Sequence, residues 1–390
     1  MDHSTGNTEG PFFEDGYILD LDSLYARFET LQDQRNAKGK RYPLAIVLVV
    51  AVLAKLCGED HPEGIAQWGR ARASGLCQAL SFGRRTLPCG NTYRRVLGAA
   101  LSVEELDRVI CAFLAQQPGA GRSVLISLDG KTLRGTIPTG SSHGVHLLSA
   151  YLPSEGLVLM QVAVDGKENE ISAAPRLLRA LDLRGKVVVG DAMFTQRELS
   201  AQIVAGGGEY VWFVKDNQPE TRKAIAELFQ EQDKMEDLQV AQRVNKAHGR
   251  RETRRLLSSR LLKGYLAWPC LEQVFKLERR AVDSQGQLLH EESVYGLSSL
   301  GRKEADADSL LDHTQGYWGI ENGLHYRRDK TFHEDALRTS NPILAHSLAA
   351  INNLVLGLLS RQHWRTLPDA RRHYNAHQEQ ALRLVLRAPT

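Results

Sequence analysis

Asp129 closes an apolar run, Ile126-Ser127-Leu128, and Asp191 closes another, Val188-Val189-Gly190. An acid where a buried strand stops sits at a sheet edge, and two such carboxylates brought together repel unless a cation lies between them. The pair therefore points to a divalent-metal site. Asp129-Gly130 is also an ordinary turn pair, so it is the recurrence at Asp191 that favours chemistry over turn geometry. A third acid, Glu321, stands in Tyr317-Trp318-Gly319-Ile320-Glu321-Asn322-Gly323-Leu324-His325-Tyr326-Arg327-Arg328. On a helix Glu321, His325 and Arg328 fall at i, i+4 and i+7 and share one face. A carboxylate for metal with an imidazole and a guanidinium for phosphate suits phosphodiester chemistry, in which two divalent ions about 3.5–4 Å apart clamp the attacking and leaving oxygens. The same spacing also suits a plain surface helix, and Asp329, Glu334 or Asp335 could replace Glu321 as third ligand.

Basic residues supply the complement. Lys215 ends an apolar run near the expected site and is placed to hold phosphate. Between Arg243 and Arg255 six Arg or Lys residues and His248 face one acid, Glu252. A ribbon carrying Arg250, Arg251, Arg254 and Arg255 either follows a DNA backbone or faces water, and the DNA reading is taken here. Arg94 and Arg95 lie on a short helix after Arg84 and Arg85, a basic helix that could enter a groove or simply be solvated. Other motifs are weaker. His373 and His377 lack the intervening Glu of a metalloprotease helix, and Gly140-Ser141-Ser142-His143-Gly144 leads into a strand, whereas a nucleophile elbow leads into a helix. Neither a P-loop nor a G-x-G-x-x-G turn occurs, which removes support for ATPase and dinucleotide chemistry.

The elements that must position these residues follow from hydropathy and punctuation. With 390 residues, 42% hydrophobic and 24% charged, the chain is of globular composition. Its longest apolar run, Leu44 to Ala54, is too short to cross a bilayer, no secretory leader is visible, and five scattered cysteines suggest a reducing cytoplasm. Residues 1–30 carry seven acids against one Arg, which leaves a basic body behind an acidic arm. Helices are expected over Tyr42–Leu56, Pro62–Ala71, Asn91–Leu97 and Val103–Gln116, with Asn91 and Ser102 as N-caps. Strands follow over Val124–Leu128, Val145–Tyr151 and Leu157–Val164, then helix Ala173–Leu181, strand Lys186–Val189, helix Gln196–Ala205 and strand Tyr210–Val214. That β-β-β-α-β-α-β order predicts an α/β fold with an RNase H-like mixed sheet, in which the first and fourth strands are parallel neighbours and bring Asp129 to Asp191. A charged helix, Arg222–Leu238, opens an inserted, mainly β subdomain. After it come a helix Asp308–Leu324 and a long apolar helix capped by Asn341, which is expected to pack on the sheet. The expected divisions are an arm 1–37, an N-terminal helical domain 38–118 for DNA, a catalytic core 119–218 and 310–362, the insertion 219–309 and a tail 363–390.

These residues together resemble the insertion-sequence transposases of the H-repeat-associated type, in the DDE superfamily. The resemblance runs through Gly39-Lys40-Arg41-Tyr42-Pro43-Leu44, Trp68-Gly69-Arg70, Thr92-Tyr93-Arg94-Arg95, Leu128 to Gly135, Gly190-Asp191-Ala192-Met193, Lys215-Asp216-Asn217-Gln218 and Trp318-Gly319-Ile320-Glu321-Asn322. It implies nicking at element ends and strand transfer by an Asp129, Asp191, Glu321 triad with two Mg²⁺ or Mn²⁺ ions. Lys131, Arg134, Lys215, His325 and Arg328 would contact DNA. The partners implied are double-stranded DNA with terminal inverted repeats and a target DNA, with no membrane, the protein acting as a dimer on DNA in the bacterial cytoplasm at the nucleoid. The rival readings are a catalytically impaired, transposase-derived DNA-binding protein and a metal-dependent nuclease without strand transfer. Two positions depart from the family pattern: Tyr317 stands where a basic residue or His is expected and Gln315 where Arg is usual, which would weaken the grip on phosphate.

Overall fold

The computed structural model describes residues 22–386 apart from 118–119, 167, 233–234, 248 and 363, preceded by two short backbone-paired segments, β1 (Phe12–Phe13) and β2 (Gly16–Tyr17). Most of the acidic arm and His248 of the basic run therefore lie outside the described residues. The chain divides into two compact units, one of residues 1–120, 133–145 and 326–390, the other of residues 121–132 and 146–325.

The first unit is helical. It holds α1 (Leu24–Glu29), α2 (Leu44–Leu56), α3 (Pro62–Ala71), α4 (Ala73–Ala79), α5 (Gly90–Ala99) and α6 (Val103–Ala115). Ser102 caps α6 as expected, its hydroxyl accepting from Glu105 N, whereas α5 begins one residue before the expected cap Asn91. In the second unit the strands are β3 (Leu125–Thr132), β4 (His146–Leu152), β5 (Leu157–Val164), β6 (Val187–Gly190) and β7 (Glu209–Val214), interleaved with α7 (Glu170–Arg179) and α8 (Arg197–Ala205). Helix α9 (Pro219–Gln230) is shorter than the sequence pattern suggests and leads into β8 (Gln239–Ala247), β9 (Arg250–Ser259), β10 (Gln273–Val282) and β11 (Leu288–Ser298). Helix α10 (Ala307–Tyr317) and a π-helical turn, Glu321–His325, complete the unit.

These nine strands form one mixed sheet in the order β5-β4-β3-β6-β7-β11-β10-β9-β8. Strands β3, β6 and β7 are parallel, β4 and β5 antiparallel, so the adjacency expected of the first and fourth strands is present. The insertion is not a separate subdomain. Its last strand, β11, pairs antiparallel with β7 from Tyr295↔Val214 to Ser298↔Val211, and β10, β9 and β8 follow as an antiparallel meander. A bare β7 would leave a row of unpaired amide groups, and β11 satisfies it.

The remaining helices, α11 (Tyr326–Lys330), α12 (Pro342–Ser360), α13 (Leu367–Ala376) and α14 (Gln378–Leu386), return to the helical unit. Helix α12, capped by Asn341 and long and apolar enough to span a bilayer, is expected on the sheet and instead finds its partners within its own unit. It packs against α2, α5 and α6, which surround its apolar sides. The expected tail is likewise two helices of this unit. Inside it, Arg328 is fully buried and its Nε donates to both oxygens of Glu334, at 3.0 and 2.8 Å. Asn352 donates to the same carboxylate at 3.0 Å and accepts from Lys55 Nζ at 2.7 Å. Burial holds the Lys55 ammonium down at about 8. Removing one partner from such a pair strands a charge, so Arg328→Ala is expected to destabilise the chain by about 3–5 kcal/mol in denaturant unfolding. A loss under 1 kcal/mol would show that the buried pair is not a structural element.

Candidate active site

The registers of β3 and β6 place the two aspartates. Leu128 pairs with Gly190, so Asp129 and Asp191 take the next step along two parallel neighbouring strands. Asp129 lies inside the eight-residue β3 and Gly130 continues that strand opposite Leu148, which excludes the turn reading of Asp129-Gly130. Strand β6 ends at Gly190, where only a glycine fits because a Cβ would come 2.7 Å from the Phe194 ring. Asp191 then caps a short turn, Ala192–Phe194, its Oδ1 accepting from Ala192 N at 2.7 Å and from Lys215 Nζ at 3.1 Å. His325 Nδ1 lies 3.3 Å from Asp129 Oδ2. Asp191 is thus held by two donors, and Asp129 has the His325 imidazole beside it. Lys215 and His325 therefore lie beside these two aspartates.

Glu321 reaches the same region from a helix that breaks. Helix α10 ends at Tyr317, and the chain resumes in the π-helical turn that carries Glu321 and His325. Three glycines set this segment close to the sheet. A Cβ on Gly316 would meet Leu125 at 2.1 Å, one on Gly319 would meet Pro153 at 2.5 Å, and one on Gly323 the Tyr151 hydroxyl at 2.5 Å. Spaced by three and four residues, they form a bare helical stripe, a signal that the sequence itself carries. A π turn, an interruption that recurs at functional sites, inserts extra residues into the helical repeat, so the i, i+7 argument fails. Arg328 consequently does not join the acids; it is the buried partner of Glu334 in the helical unit.

Tyr317 lies near the expected acids but is closed in. Its ring is nearly buried, edge-on to Phe213 at 5.8 Å and Trp318 at 5.5 Å, and does not stand open to a phosphate. Burial raises the pKa of its phenol, and the charges of Asp129, Asp191, Glu321 and Glu170 raise it further. One phenol therefore senses all three expected acids and a fourth, Glu170, that sequence reasoning missed because nothing in linear spacing ties it to Asp129.

The other expected contacts divide. Lys131 is buried in β3 and offers no surface to DNA. Arg134 is exposed in the helical unit, its amide donating to Asp335 Oδ1 at 3.1 Å. Of the alternative third ligands, Glu334 is committed to Arg328, and Asp335 to Arg134. Arg94 and Arg95 are exposed on α5, Arg94 beside Asn91 and Glu63, while Tyr93 is fully buried. On the ribbon Arg250 and Arg251 are exposed, but Arg254 pairs with Glu252 and Arg255 with Glu278, each at 3.0 Å.

Among the described residues no group of three or more His, Cys, Asp or Glu is drawn together as a metal cage. The donors at Asp129 and Asp191 are nevertheless hard oxygens, and Mg²⁺ is commonly bound through one or two carboxylates with waters and substrate phosphates completing its shell. Two buried polar atoms beside them, Glu170 Oε2 and His325 Nε2, have no hydrogen-bond partner. The residues present fit a divalent cation.

Two family models match this chain, one described as DDE_Tnp_1-associated over residues 25–114 and one as Transposase DDE domain over residues 120–358. A curated relative from Escherichia coli K12, "Putative protein YbfL", is 27% identical over 351 residues, 88% of this chain and 91% of its own length. "H repeat-associated putative transposase YhhI" of the same strain is 25% identical over 350 residues, again covering 88% and 91%. A piggyBac transposase synaptic complex with hairpin DNA aligns over 94% of this chain and 80% of its own at 11% identity and a TM-score of 0.41, too low to carry an argument. With its model spanning more than half of the sequence, the family is settled: this chain belongs to the transposases with a DDE domain.

Proposed function

We propose that this transposase acts on a core of RNase H type, nicking DNA at the inverted repeats that end an insertion sequence and joining the freed 3′ hydroxyl to target DNA. The observation that carries the reading is the pairing of β3 with β6, which sets Asp129 beside Asp191 while the charge of Glu321 reaches the same phenol. Both steps are phosphoryl transfers, in which a hydroxyl of water and then of the cut end attacks phosphorus. Asp129, Asp191 and Glu321 would hold Mg²⁺ or Mn²⁺, two ions in the full assembly, and such cations supply electrostatic stabilisation of the charge that builds on phosphate. Lys215, more than half exposed, can turn from Asp191 to a phosphate oxygen, and His325 orients Asp129. The exposed Arg94 and Arg95 would read the element ends, and Arg250 and Arg251 would follow the backbone. A dimer on DNA at the nucleoid completes the proposal.

Purified protein with its end DNA should cleave in Mg²⁺ or Mn²⁺ and stop with chelator. Asp129→Ala, Asp191→Ala and Glu321→Ala should each abolish cleavage in a gel assay and leave end binding intact; any variant that still cuts removes its residue from the triad. Joined products separate strand transfer from simple nuclease action.

The ribbon gives an independent test in the salt dependence of binding. Each lost phosphate contact lowers the slope of log K against log salt by about 0.9, so Arg250→Ala with Arg251→Ala should reduce it by up to about 1.8 for any DNA sequence. Arg255→Ala, already paired with Glu278, should change it little. An unchanged slope in the double variant means this end of the ribbon faces water.

A further inference from the structure

Glu170 opens α7, and its Oε1 lies 2.8 Å from His146 Nε2. A carboxylate only accepts, so Nε2 carries the proton, and Nδ1, 2.7 Å from the Thr132 hydroxyl, accepts from it in the neutral ring. This chain of three side chains leans on the backbone next to Asp129. A Cβ on Gly130 would come 2.3 Å from Glu170 Oε1 and 2.6 Å from His146 Nε2. Glycine at 130 is therefore the condition that admits the pair, a reason for Asp129-Gly130 that has nothing to do with a turn.

The second carboxylate oxygen, Glu170 Oε2, is buried without a hydrogen-bond partner. Leaving such an acceptor unsatisfied is costly, and Glu170 lies against Gly130, the neighbour of Asp129, so the bond it lacks is one the chain does not supply. Among the described residues no three of these acids form a cage by themselves, so a link from Glu170 to an ion held by the aspartates runs through water. Mg²⁺ and Mn²⁺ retain waters in such sites, and outer carboxylates that accept from them are ordinary parts of metal centres.

We infer that Glu170 is a fourth carboxylate of the cation site, its Oε2 accepting from the water shell of a divalent ion held by Asp129 and Asp191, with His146 and Thr132 fixing it in place. The inference rests on the proposed catalytic reading, of which it is a refinement. It makes Glu170 a positioning residue whose effect is on cation affinity.

The test titrates Mn²⁺ into the full chain and follows free Mn²⁺ by electron paramagnetic resonance, without DNA or turnover. Glu170→Gln should weaken Mn²⁺ binding about 10- to 100-fold, and Asp129→Asn should remove it. Wild-type affinity in Glu170→Gln, whether or not its unfolding temperature in chelator falls, overturns the inference and leaves the catalytic reading standing. A wild-type chain that binds no Mn²⁺, or an Asp129→Asn variant that binds as well as wild type, overturns both. Should Glu170→Gln fail to fold, Mn²⁺ added to the wild-type chain should broaden the imidazole resonances of His146; sharp resonances at saturating Mn²⁺ refute the placement.

Discussion

Parallel pairing of two short strands is the constraint on which the site depends. By setting Leu128 against Gly190 it brings Asp129 and Asp191 to the ends of neighbouring strands, where neighbouring like charges repel and opposite charge or donors nearby offset the repulsion. Much of the surrounding structure is that compensation. Asp191 takes a backbone amide and Lys215, Asp129 takes His325, and Tyr317 is buried in the combined field of four acids. A cation that bound there would relieve the same repulsion, so the arrangement stores the preference that a metal would satisfy.

The segment bearing Glu321 shows how backbone shape replaces side-chain reach. Gly316, Gly319 and Gly323 let it approach Leu125, Pro153 and Tyr151 closely, and the π turn then redirects the chain so that Glu321 and His325 stay with the sheet unit while Arg328 leaves it. A regular helix would have kept Arg328 on the same face. Its burial against Glu334 and Asn352 converts an expected phosphate contact into part of the helical unit's polar core.

Charge on the insertion obeys a similar economy. Strands β8 to β11 extend the main sheet through the edge of β7, so the basic ribbon is continuous with the strands that lead to Asp191 and Lys215. Its arginines are not equivalent. Those opposite acids on the same or adjacent strand are partly neutralised, as Arg254 is by Glu252 and Arg255 by Glu278, whereas Arg250 and Arg251 at the outer end are exposed.

The sequence by itself determined which strands exist and where two of them end in Asp, because alternation and apolar runs are local signals of period and length. It also determined the caps Ser102 and Asn341, whose side chains act within three residues. Helical spacing offered Glu321 with Asp329, Glu334 and Asp335 as alternatives, and the resemblance to known transposases selected it. Only the tertiary structure decided that α12 belongs with the N-terminal helices, since a helix apolar on most sides fits any apolar partner. It alone decided that the insertion joins the main sheet, that Lys131 and Arg328 are buried, and that Glu170 lies beside Asp129. Each of these depends on contacts between residues far apart in the chain, where register and burial, rather than spacing, fix which groups meet.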